Sequence, residues 1–394
     1  MNHSRSAALP LPDDAALAVS GALVERLRER IDAGGGFLPF DEFMDAALYE
    51  PGLGYYANGL TPFGEQGDFI TAPESGKLFG RCLAHSLAGV LEAVGDDAEL
   101  LEVGAGSGEL AAAVLAELER LGRLPRRYAI LERSAAMRAL QHERLARLPA
   151  PLAARVEWLE ALPAGLFRGV VFGNEVADAL PLRRFRWCAG EVRETGVGRA
   201  GERLVERERP ADAALTERVR ALAADNEWEG DYRSEYCPAL APWVGSLATV
   251  LERGLLLLID YGYGRREYYH PQRSMGTLMC HYRHQAHGDP LWLPGLQDIT
   301  AYVDFTSVAE AAVAAGLQLQ GYSSQARFLL GCGIEQLLAE ADAADTRRYL
   351  QLSNEVKRLM LPGEMGERFK VIGFSRNLEV EVEGFGSPDL RGRL

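Results

Sequence analysis

The chain has 394 residues, 42 of them Lys or Arg and 56 Asp or Glu, for a formal net charge of −14. Hydrophobic residues make up 47% and charged residues 25%, a balance that excludes intrinsic disorder over most of the length. An acidic chain is also a poor candidate for tracking a phosphate backbone, which needs a positive face, and the length suggests two or three domains or one enlarged domain.

The N-terminus lacks a long apolar run and carries Asp13 and Asp14, so it reads as neither a signal peptide nor a basic presequence. No apolar stretch reaches the ~18 residues that a membrane span requires. The five cysteines are scattered without a CxxC pair, which argues against a zinc knuckle or disulfide framework and for a reducing compartment, the cytoplasm.

Residues 17–31 set Leu23, Leu27 and Ile31 on one helical stripe that stops at Gly34-Gly35-Gly36. Asp41 is placed to cap a short helix ending before Pro51. Residues 49–74, YEPGLGYYANGLTPFGEQGDFITAPE, hold too many glycines and prolines for regular structure, yet carry five aromatic rings. Such a loop is either a surface excursion or part of a site. An amphipathic helix follows, with Leu78, Phe79, Cys82, Leu83, Leu87, Val90 and Leu91 in register.

Beyond residue 97, strands and helices alternate as in a parallel sheet with crossover helices. Strands are expected at 99–103, 128–132, 155–158, 169–173 and 255–260, and helices at 107–121 and 134–147 with Ser107 and Ser134 as caps. Residues 184–253 interpose a hairpin and two helices, and 265–304 a second excursion rich in Tyr, His and Arg. A helix at 306–315, a strand at 317–322, helical text to Leu361 and a strand at 369–374 complete the chain.

The strongest chemical signal is Glu102-Val-Gly104-Ala-Gly106-Ser-Gly108, between a strand and a helix. Glycines there let the backbone turn sharply and approach a ligand. A dinucleotide fingerprint wants its third glycine at position 109, where Glu109 stands and would disfavour a pyrophosphate. GxGxG with an acidic residue two places upstream instead matches the nucleoside loop of class I methyltransferases. Glu132, closing the second strand, is placed to accept both ribose hydroxyls, and Glu160 to meet an adenine amino group.

At the end of the fourth strand, Asn174, Glu175 and Asp178 stand where ligands sit in open parallel sheets; the alternative is a cluster capping the next turn. Four histidines crowd into 270–287, but in an extended GTLMCHYRH segment His281 and His284 face opposite ways. A basic loop facing substrate or cofactor is therefore preferred to a metal site.

Together EPGLGYY (50–56), GDFITAPE (67–74), LEVGAGSGEL (101–110), NEVADALP (174–181), IDYG (259–262), GTLMCHYRH (276–284), PGLQDITAYVDF (294–305) and MGERFKV (365–371) resemble the MidA family over nearly the whole chain. Its members are S-adenosylmethionine-dependent methyltransferases, and its mitochondrial branch, a complex I assembly factor, acts on a protein arginine. Ser75-Gly76-Lys77 departs from the family pattern, which more often has an apolar residue, Ser and Gln.

The resemblance implies a class I Rossmann-like α/β fold of seven strands, the last antiparallel and inserted beside the fifth. Residues 98–183, 254–264, 305–323 and 367–376 would form the core, 1–97 a cap, and 184–253, 265–304 and 324–366 insertions on the substrate side. Candidate cofactor contacts are Glu102, Gly104, Gly106, Gly108, Glu132, Asn174 and Glu160, with Gly67, Asp68, Thr71 and Pro73 from the loop. Glu175, Asn174 and Asp178 are the catalytic candidates, Glu175 first. Tyr55, Tyr56, Asp260, Tyr261, His281, Arg283 and Asp304 are candidate substrate contacts. The expected partner is a protein presenting an arginine, with a respiratory-complex subunit and a second copy of the chain as candidates. A non-catalytic assembly chaperone that keeps the cofactor pocket and a small-molecule methyltransferase are the competing functions.

Overall fold

A computed structural model describes residues 9–60, 71–340, 345–386 and 389–394, which fall into two compact units. Of the described residues, one unit comprises those in 71–178, 239–268 and 302–394; the other takes 9–60, 179–238 and 269–301.

The first unit is built on seven strands: β1 (Glu99–Val103), β2 (Tyr128–Leu131), β3 (Val156–Leu159), β4 (Phe167–Asn174), β5 (Leu251–Tyr263), β6 (Gln318–Ser324) and β7 (Phe369–Arg376). They lie in the order β6-β7-β5-β4-β1-β2-β3. β1 to β5 pair in parallel, whereas β7 runs antiparallel to both β5 and β6. This is the class I methyltransferase arrangement. The runs Val170–Phe172 and Leu255–Leu257 are wholly buried, as strands covered on both faces must be. A short strand, Val303–Asp304, pairs with the end of β5; the sequence reading draws none there.

Helix Leu78–Val94 packs on β4 and on helix Glu109–Arg120. A Cβ at Gly80 would stand 2.6 Å from that of Ala113, so glycine sets the close approach of the two helices. The units divide the chain at other places than the sequence reading does. Residues 71–97, helix Leu240–Val250 and helices Gln325–Gly331, Ile334–Ala339 and Thr346–Met360 all belong with the sheet. The reason is burial: Phe79, Leu83 and Leu87 share one apolar core with Phe328, Leu329, Ile334, Leu337 and Leu359.

The second unit opens with helix Asp14–Ala33, capped by Asp13, which accepts from the Ala16 amide at 2.8 Å. Its stripe of Leu23, Leu27 and Ile31 packs with Phe40, Phe43 and Met44. The next helix, Phe40–Tyr49, starts after Pro39, so Asp41 lies in its first turn and is not the cap. The expected hairpin is Arg183–Cys188 with Glu191–Ala200, joined by Leu38–Pro39, Arg203–Pro210 and Asp231–Tyr236 in a five-stranded sheet. A three-stranded sheet holds Met279–Tyr282, Gln285–His287 and Asp298–Thr300.

Candidate active site

The glycine loop leaves β1 at its carboxyl end. Glu102 is 2% exposed and accepts the Tyr128 hydroxyl at 2.6 Å. Burial pushes its carboxyl up to about 7, the Tyr128 hydrogen bond pulling the other way. Gly104, Gly106 and Gly108 all have positive φ, at 67°, 51° and 84°. At Gly104 a Cβ would also stand 3.0 Å from Val176 Cγ2, so a side chain there strains the backbone and presses on Val176. The helix begins at Glu109 with Gly108 as its left-handed cap, which corrects the assignment of Ser107 to that place. The Ser107 hydroxyl instead donates to the Glu74 carboxylate, tying the glycine loop to the 3-10 turn Pro73–Ser75.

Glu132 follows β2 and accepts from the Ser134 amide at 2.8 Å and from Gln141 Nε2 at 3.3 Å. Burial raises its carboxyl and these bonds lower it. Gln141 is fully buried and also donates to the Gly106 carbonyl at 2.9 Å, while its Oε1 accepts the Trp158 indole N–H at 2.9 Å. One signal could have exposed it: Gln141 is the polar member of the buried row Met137, Gln141, Leu145 on helix Ala135–Leu145. Glu160, an adenine candidate, has a side chain 80% exposed and pairs with Arg138 at 3.2 Å.

At the end of β4, Asn174 Nδ2 donates to Glu175 Oε1 at 3.0 Å. Glu175 adopts φ 54°, and its amide donates to the Ile259 carbonyl of β5 at 2.9 Å. Asp178 accepts the Tyr261 hydroxyl. Asp260, 2% exposed, accepts with one oxygen from the amides of Val176, Ala177 and Asp178 at 3.2, 3.0 and 3.2 Å, and with the other from Tyr261 N at 2.9 Å. Burial, then the charges of Asp178 and Glu175, push the Asp260 carboxyl well above the usual range. Asp260 therefore shapes the turn that carries Glu175 and Asp178.

The remaining candidates separate. Thr71 and Pro73 are buried beside the turn that reaches Ser107, whereas Gly67 and Asp68 lie outside the described residues. Asp304 caps helix Phe305–Ala314, accepting from Thr306 N and Ser307 N at 3.1 and 3.2 Å and from Arg265 Nε at 3.3 Å. Tyr55, Tyr56, His281 and Arg283 belong to the other unit. There Tyr56 donates to Asp298 at 3.0 Å, and Arg283 lies over the Tyr282 ring. His281 sits on a strand, and His284 in the following turn at φ 60°.

The first unit fits a nucleoside with a charged tail. The glycine loop exposes backbone where side chains are excluded, a hydrogen-bonded carboxylate stands at the next strand end, and the buried Oδ1 of Asn174 accepts no hydrogen bond.

The model of a family of S-adenosyl-L-methionine-dependent methyltransferases matches residues 82–323. The chain is similar to the mitochondrial protein arginine methyltransferase NDUFAF7 homolog of Drosophila melanogaster, 29% identical over 89% of this chain and 84% of the relative. The human protein arginine methyltransferase NDUFAF7 is 27% identical over 83% of this chain and 78% of its own. A crystal structure from Burkholderia thailandensis bound to S-adenosyl-homocysteine superposes with a TM-score of 0.92 at 44% identity, covering 98% of this chain and all of that one.

Proposed function

Because the chain belongs to the MidA family of S-adenosyl-L-methionine-dependent methyltransferases, we propose that it methylates an arginine side chain of a protein. The observation that carries this reading is the carboxylate group at the ends of β4 and β5. Glu175 stands beside the buried Asp178 and Asp260, and burial first, then the charges of Asp178 and Glu175, push the Asp260 carboxyl well up. A cation at that edge relieves the crowding, and a planar guanidinium can meet carboxylates in a bidentate manner. The names of the mitochondrial relatives support the same substrate class.

In this reading Glu132 and the glycine loop hold the cofactor's nucleoside, and Asn174 Oδ1 accepts a hydrogen bond from its amino-acid part. The bound cofactor supplies an electrophilic methyl group whose sulfur takes back the bonding pair. The guanidinium, with a pKa above about 12, is a poor nucleophile while its lone pair is delocalised in the cation. Glu175 orients it and concentrates electron density on one nitrogen. As the new N–C bond forms, that nitrogen becomes acidic, and Glu175 takes its proton. Asp178, held by Tyr261, keeps the second face of the guanidinium in place, and Asp260 holds the turn. In-line placement of this kind supplies on the order of 7–11 kcal/mol.

Incubation of the full chain with a labelled-methyl cofactor and an extract from a deletion strain tests the proposal. Mass spectrometry should find methylarginine formed by the protein and missing from the untreated extract. Label found only on lysine, or only in small molecules, overturns the arginine assignment.

A further inference from the structure

The Gln141 side chain hydrogen-bonds to three separate parts of the cofactor edge: Gly106, Glu132 and Trp158. Its amide orientation is decided by chemistry, because the Trp158 indole can only donate and so must face Oε1. Nε2 is thereby turned toward the Gly106 carbonyl, 2.9 Å away, and the Glu132 carboxylate, 3.3 Å away. The Cα of Gln141 also lies 3.5 Å from where a Cβ on Gly108 would stand. The residue is fully buried, so water cannot replace these bonds.

We propose that Gln141 is a positioning residue for cofactor recognition, aiming the Glu132 carboxylate at the ribose hydroxyls and locking the glycine loop to the same amide. This rests on the reading of Glu132 as the ribose partner. Ser134 N holds one oxygen of that carboxylate and Gln141 the other, which leaves the remaining lone pairs directed away from both. Both bonds also favour the ionised form, the one that can accept from two hydroxyls, against a burial that opposes it. Trp158, stacked on His142 with ring centroids 3.6 Å apart, is the fixed end of the relay.

The test is calorimetric binding of S-adenosyl-homocysteine and its 2′-deoxyribose analogue to the full chain. In the wild type the missing hydroxyl should weaken binding about tenfold, the usual worth of a hydrogen bond to a charged group. Gln141→Met, matched in volume, should weaken S-adenosyl-homocysteine about tenfold and shrink the penalty for the analogue below about threefold. A variant that keeps the wild-type penalty overturns the proposal, because a purely structural role would weaken both ligands alike. Trp158→Phe, which keeps an aromatic ring but removes the donor that orients the amide, should also shrink the penalty, and keeps the test decisive if Gln141→Met does not fold. Glu132→Ala separates the two layers. If that variant retains the ribose penalty, the ribose reading itself fails; if only Glu132→Ala abolishes it, the role of Gln141 fails alone.

Discussion

Tyr128 donates its hydroxyl to Glu102 at 2.6 Å across two neighbouring strands, and both side chains are buried. The pair sits directly beneath the glycine loop, so the acidic residue that marks the methyltransferase motif has a protein partner as well as a place beside the cofactor loop.

Burial holds the Glu102 carboxyl at about 7 against an ordinary 4.5, so the folded state retains its proton more tightly than the unfolded chain. The associated stability is fully present below pH 4.5 and is lost as pH rises through about 7. Tyr128→Phe removes the one bond that favours the carboxylate. Urea unfolding should show a loss of about 1–3 kcal/mol at pH 8 and a smaller loss at pH 5. Equal losses at the two pH values would contradict the assignment.

Gly104→Val meets both a left-handed backbone and Val176. The left-handed conformation alone costs about 1–2 kcal/mol for a residue with a Cβ, so S-adenosyl-homocysteine affinity should fall about tenfold or more. Gly21→Ala is the control: Gly21 lies within helix Asp14–Ala33, with nothing within 4 Å of an added Cβ. It should leave binding unchanged and stabilise the chain by up to about 1 kcal/mol. Unaltered affinity in Gly104→Val would sink the loop assignment.

Asp260→Ala strips four backbone amides of their acceptor. Unfolding measurements should show a loss of about 3 kcal/mol or more, whereas Asp260→Asn, which keeps an acceptor oxygen and removes a crowded charge, should lose under about 1 kcal/mol. Matching losses in the two variants would mean that the charge, and not the hydrogen bonding, holds the turn.

Glu175→Gln keeps the shape of the side chain and its backbone bond to Ile259 but removes the proposed proton acceptor. Methyl transfer should fall about 10²–10⁴-fold with S-adenosyl-homocysteine affinity unchanged. Full turnover in this variant would exclude Glu175 from the chemistry, and loss of cofactor affinity would assign it to binding instead.

Local pattern was enough for the sheet and for the loop. Apolar runs such as VVF and LLLLI, and glycines between a strand and a helix, are consequences of neighbouring residues alone. Those signals placed all seven core strands and the turn at Gly104–Gly108. They misassigned the caps at Asp41 and Ser107, because the cap is the residue at which the backbone turns into helical angles, and neither observed cap makes a side-chain bond. Pro39 and Gly108 won on backbone angle.

Tertiary structure alone decided what the polar side chains do. Asp304 and Asp260 look in the sequence like free carboxylates near a site, but the fold gives them backbone amides to satisfy. Gln141 looks like an ordinary helix residue until Glu132, Gly106 and Trp158 are brought around it. The sequence by itself determined the class of cofactor, since that depends on a loop only seven residues long. Which side chains hold the loop, and which merely hold the fold, depended on partners tens of residues away, because a buried polar group takes its role from whatever the folded chain places within hydrogen-bond reach.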